Sequence, residues 1–130
     1  MQLKRSILAA TLLFAFAGGA ASQSLSPMRN DGDTPSQVKG FKLFVGNPYP
    51  TKMTFIVLPM DPEFRVPAEN AAVNFPQLTM APGTTRQVIV TFRIDPAIKE
   101  RTIGVCVQPK TIEGTVMPRV CGTYTGRLRG

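Results

Sequence analysis

Twelve prolines punctuate the chain from Pro27 to Pro118, about twice the usual ~5% share, and their spacing leaves no room for a long uninterrupted helix. Between them, apolar and polar residues alternate. Phe41, Leu43 and Val45 fall on one face and Lys42 on the other, which predicts a half-buried strand over 38–45. A second strand is predicted over 52–58 (KMTFIVL) and is expected to stop at Pro59 and Pro62, because proline cannot donate to a ladder. The middle reads as short extended pieces at 64–67, 73–76 and 78–80, with a loop at 69–72. In Ala81-Pro82-Gly83-Thr84, proline presets the first central position of a type II turn, and glycine accepts the positive φ of the second. The strongest alternation follows over Thr85–Ile94, with Val88, Val90, Phe92 and Ile94 assigned to the core. Asp95-Pro96 then opens a single helical turn over 95–100, with Asp95 as its N-cap. Two last strands are predicted over 101–108 and about 119–128.

The amino-terminal end has a different character. A basic start (Lys4, Arg5) precedes the apolar run ILAATLLFAFAGGAA at 7–21, which ends in small residues, the pattern of a secretory signal peptide cut after Ala20, Ala21 or Ser22. The run is shorter than the ~20 apolar residues that span a bilayer. The expected organisation is therefore a cleaved signal peptide at 1–21, a flexible N-terminal arm at 22–37 and one folded domain at 38–130. The product is expected in the periplasm or secreted, with no membrane span after cleavage. The arm (SQSLSPMRNDGDTPSQ) is polar and without periodicity, although Leu25 and Met28 are able to tuck against the domain or lead into a first strand. Loss of Lys4 and Arg5 lowers the formal charge from +7 to +5.

In an exported chain, two cysteines point to one disulfide, here Cys106–Cys121. If the last two strands form an antiparallel hairpin with these residues opposite each other, Val107 faces Val120, Val105 faces Gly122 and Ile103 faces Tyr124. All of those side chains then land on the core face and both cysteines on the other, an agreement that a one-residue slip destroys. Closing this loop is worth on the order of 3 kcal/mol in the chain-entropy model. A two-thiolate metal site would require copper(I) with methionine ligands, and the methionines form no local motif, so no metal is expected.

These elements specify an all-β fold, an immunoglobulin-like β-sandwich of about seven antiparallel strands with one disulfide; a small closed barrel is the competing architecture. Within residues 43–94, LFVGNPYPTKMTFIVL and FPQLTMAPGTTRQVIVTFRI resemble the N-terminal domain of periplasmic pilus chaperones and the related major-sperm-protein group. The resemblance implies a protein-binding domain. In the pilus chaperones a second domain follows, and basic residues in the cleft between the two anchor the client's carboxyl terminus. With the sequence ending at Gly130, neither that domain nor the cleft is expected, and no basic residue is carried over as an anchor. Recognition through a sheet edge is what the resemblance leaves.

Composition excludes most chemistry. Without histidine there is no Ser-His-Asp triad and no histidine zinc site. Asp61 and Glu63, the nearest carboxylate pair, flank Pro62 and read as a solvated turn. No catalytic residue and no cofactor are expected. The basic residues are dispersed rather than gathered in a stripe, which argues against nucleic acid. The expected function is a non-catalytic exported protein-binding module, an accessory or chaperone-like component of a cell-envelope or secreted assembly. Its expected partner is another exported or envelope protein, with self-association left open. Lys110, Arg119, Arg127 and Arg129 are the candidate partner-binding residues. The alternatives are a structural subunit of a surface appendage or envelope complex, and a glycan or small-ligand binding domain, for which Tyr49 is the one obvious exposed aromatic.

Overall fold

The computed structural model describes residues 22–111 and 117–129; the expected signal peptide lies outside them. The described residues form nine strands: β1 (Ser24–Ser26), β2 (Arg29–Thr34), β3 (Val38–Gly46), β4 (Met53–Met60), β5 (Ala71–Val73), β6 (Gln77–Met80), β7 (Thr85–Arg93), β8 (Glu100–Pro109) and β9 (Val120–Leu128). They form a four-stranded sheet in the order β1-β3-β7-β5 and a five-stranded sheet in the order β2-β9-β8-β4-β6. One apolar core joins the two, with Phe41, Leu43, Val45, Val88, Val90 and Phe92 from the first sheet and Phe55, Val57, Ile103, Val105, Val107 and Tyr124 from the second. The alternation read from the sequence thus assigns the correct faces of β3, β7, β8 and β9. Phe41 packs near Phe92 and Tyr124, with ring centroids 6.1 and 5.8 Å apart.

The β8–β9 hairpin has the register anticipated from the cysteines: Cys106 faces Cys121, Val107 faces Val120, Val105 faces Gly122 and Ile103 faces Tyr124. The disulfide is formed, on the face of the sheet away from the core. Gly83 has φ +71°, as the turn before β7 requires. After β7, the amides of Ile98 and Lys99 donate to the carbonyl of Asp95, and the Asp95 carboxylate accepts from the amide of Ala97, closing the expected single turn.

Four expectations need correction. The described residues alone form nine strands rather than about seven, and these are not all antiparallel, because β2 pairs with β9 in parallel. The segment read as a flexible arm supplies strands to both sheets. β1 pairs with β3, the chain crosses at Pro27–Met28, and β2 then runs along β9. Leu25 is the one core side chain β1 contributes, and β2 is polar because it is an edge strand with one face in water, so neither carries an apolar alternation. Pro59 does not end β4. The amides facing β8 belong to even-numbered residues such as Leu58 and Met60, so the missing N–H points to the side that β6 does not reach. Residues 71–73, placed in or beside a loop, pair with β7 as β5.

Two buried polar side chains fasten the ends of the strands. Asn47 donates to the carbonyls of Met80 (3.0 Å), Thr51 and Ala81 and accepts from the amide of Tyr49, joining β3 to the turn before β7. Gln23 donates to the carbonyls of Val107 and Pro118, both at 2.8 Å, and accepts from the Tyr49 hydroxyl. It clamps the two stems of the β8–β9 connection against the start of β1.

Candidate partner-binding edge

A β-sandwich offers a partner its faces, its loops and the unpaired backbone at its sheet edges. The four edge strands here differ in length: β1 and β5 have three residues each, β6 four and β2 six. The direction of every peptide group in β2 follows from its ladder. The amide of Thr123 donates to the carbonyl of Met28 at one end, and that of Arg129 to the carbonyl of Thr34 at the other. In the parallel register between them, Asn30 and Gly32 also turn their backbone toward β9. The N–H and C=O groups of Arg29, Asp31 and Asp33 therefore point outward, and among the described residues they find no strand partner; the Asp31 amide donates locally to Oδ1 of Asn30 at 2.9 Å.

Charge holds this edge in place. The Arg127 guanidinium donates to the carboxylates of Glu100 (2.9 Å) and Asp31 (3.3 Å), and Arg129 pairs with Asp33 at 3.2 Å. Donating to the Asp31 and Glu100 carboxylates raises the Arg127 pKa above its ordinary value. All of these groups are substantially exposed, so each pair contributes little alone; together they set a ladder of alternating charge along the outer face of β2 and β9.

The four basic residues singled out from the sequence are not brought together. Lys110 and Arg119 flank the β8–β9 connection, whereas Arg127 and Arg129 lie at the far end of β9, about 26 Å along the strand from Arg119. Arg127 and Arg129 are engaged with Asp31 and Asp33 inside the molecule. Lys110 and Arg119 are exposed, and the Lys110 amide donates to the carbonyl of Thr54. What the sequence reading missed is the edge itself. Its recognition groups are backbone atoms, and the one available signal was the alternation of Arg29, Asp31 and Asp33 in register with basic residues at 127 and 129.

Other candidates fall away on geometry. The Asp61 carboxylate accepts from the amides of Arg65 (2.6 Å), Val66 (2.8 Å) and Glu63 (3.3 Å), and the bond from Val66 leads in holding its pKa below the usual value. It organises the 61–66 turn and is not poised for proton transfer. Tyr49 is half-buried, its ring 6.3 Å from that of Phe55 and its hydroxyl bonded to Gln23, so it is a poor stacking platform for a glycan. Among the described residues there is no cluster of three His, Cys, Asp or Glu side chains able to hold a metal, and no helix long and apolar enough to cross a membrane.

No family model matches this sequence, and no curated protein matches it. Solved structures do match its fold. The E. coli chaperone DraB superposes with a TM-score of 0.65 over 82% of this chain and 55% of its own, at 17% identity. A chain of the Salmonella enterica SafA pilin–SafB chaperone complex gives 0.66 over 86% of this chain and 57% of its own, at 18% identity. The PapD-like domain 7 of human CEP192 gives 0.61 over 82% of this chain and 84% of its own, at 11% identity. At these identities the likeness establishes the fold, that of pilus chaperones and PapD-like domains. The chain spans little more than half the length of the chaperones it matches.

Proposed function

We propose that this chain is a non-catalytic, exported protein-binding module with a chaperone-like or accessory role in assembling cell-envelope or secreted structures, and that it binds an extended segment of another exported protein along β2. The observation that carries the reading is the six-residue outer edge of β2, where the peptide groups of Arg29, Asp31 and Asp33 face outward in a strand whose outer carboxylates pair with Arg127 and Arg129. A segment adding there gains main-chain hydrogen bonds from three consecutive outward residues, and its side chains meet the charge ladder on one face. The fold supports the reading, being shared with proteins described as chaperones of pilins and fimbriae. Arg127 and Arg129 serve by fixing the edge, while Lys110 and Arg119 present a separate basic rim at the other end. The expected location is the periplasm or the extracellular space, after removal of residues 1–21.

Proline substitution separates the edge from the fold. Asp31→Pro removes an outward N–H that β9 does not use, so the ladder survives while edge pairing is blocked. Asp31→Ala removes the same ion pair with Arg127 and leaves the backbone intact. Tagged, exported protein is purified with its bound partners, which are identified by mass spectrometry. The partner is expected with the wild type and Asp31→Ala and absent with Asp31→Pro; equal recovery with all three places recognition elsewhere.

A further inference from the structure

The outward residues of β2 are self-complementary. We infer that β2 pairs with β2 of a second copy of this chain, antiparallel and centred on Asp31, joining two five-stranded sheets into one. In that register each Arg29 stands opposite Asp33 of the second copy, and Asp31 stands opposite Asp31. All three outward residues of each strand then exchange backbone hydrogen bonds, the Asp31 amide leaving the exposed Asn30 Oδ1, which water then satisfies. Arg29 makes no ion pair among the described residues, and Arg129 engages only Oδ2 of Asp33, leaving Oδ1 for a second cation. The two Asp31 carboxylates are each held by their own Arg127 (3.3 Å), so the centre of the seam reads Arg127–Asp31–Asp31–Arg127 rather than as a bare like-charge contact. Met28, 52% exposed, comes to lie opposite Thr34 of the second copy.

Neighbouring registers are worse. A shift of two residues one way sets Asp31 against Asp33 twice. The opposite shift pairs Arg29 with Asp31 but leaves Asp33 facing Pro27, which has no N–H. The charge pattern therefore selects both the partner, another copy, and the alignment.

This inference uses the edge invoked for client capture but requires no client, so the two fail separately. A monomer that still captures its partner overturns only the self-pairing, and a dimer that captures nothing overturns only the proposed function. The test is sedimentation equilibrium of the purified protein over a wide concentration range. The weight-average mass is expected to climb toward twice that of the monomer. Arg29→Asp and Asp33→Arg are each expected to lower the association constant by at least about tenfold, since attraction becomes repulsion at two symmetric positions. The double variant R29D/D33R is expected to restore it. Arg29 is exposed and unpaired, so Arg29→Asp leaves the fold intact and its effect reads association alone. A wild type that stays monomeric at all concentrations, single variants that associate like the wild type, or a double variant that is not rescued each overturns the proposal.

Discussion

Tyr124 shows how much one side chain decides in this fold. Its ring is fully buried beside Phe41, and its hydroxyl donates to the carbonyl of Pro27 at 2.6 Å, at the point where the chain leaves one sheet for the other. A Cβ on Gly122 would sit 2.5 Å from that hydroxyl and 2.6 Å from the carbonyl of Met28, so the crossover fits only over a glycine. Burial pushes the Tyr124 pKa up from its ordinary value near 10. A folded-state pKa above the unfolded one means that the stabilisation is complete below about pH 10 and is lost as pH rises beyond it. Wild-type stability is therefore expected to decline in strong alkali. Tyr124→Phe is expected to remove this decline and to cost about 1 kcal/mol at neutral pH through the lost hydrogen bond. Urea melts of both proteins across pH 8–11 check this; parallel curves would show that the hydroxyl is not the titrating group.

At the scale of elements, the β8–β9 hairpin has a double fastening. Eight facing residue pairs set its register, and the Cys106–Cys121 bond, across a sequence separation of 15, locks it from the outer face. Because the core-facing partners Ile103, Val105, Val107 and Tyr124 are independent of the cysteines, the double variant Cys106→Ala/Cys121→Ala is expected to keep the fold. It is expected to lose on the order of 3 kcal/mol, a drop in Tm of roughly 12–20 °C by calorimetry. Loss of the native NMR cross-strand contacts instead would mean that the bond dictates the register. This hairpin, with β3 and β7, was legible in the sequence because its side chains alternate between water and core. β5 was not, since a three-residue strand carries too little alternation to be distinguished from a loop. β4 was misjudged at Pro59, because which edge a missing N–H faces depends on a neighbour's length rather than on local sequence. The candidate site was the least legible part: Arg127 and Arg129 were identified as basic residues, but their partners on β2, Asp31 and Asp33, lie almost a hundred residues away, in a segment read as unstructured.

For the whole molecule, that segment bears on whether the two sheets hold together at all. Residues 22–34 close the four-stranded sheet with β1 and the five-stranded sheet with β2, so one short segment pairs with an edge of each sheet. Leu25 is 3% exposed and contributes about 2 kcal/mol by burial, and Gln23 satisfies two carbonyls at the stems of the β8–β9 connection. Removing residues 22–34 would take the Gln23 donor from those carbonyls and bare the edges of β3 and β9, the arrangement that invites strand pairing between molecules. The truncated protein is expected to lose at least about 4 kcal/mol, to melt roughly 15 °C or more below the full domain and to aggregate on standing. A synthetic 22–34 peptide added in trans is expected to recover part of that loss by pairing with both exposed edges. A truncated domain that melts within a few degrees of the intact one would restore the segment to the status of a dispensable arm, and with it would go the β2 edge on which both capture and self-pairing depend.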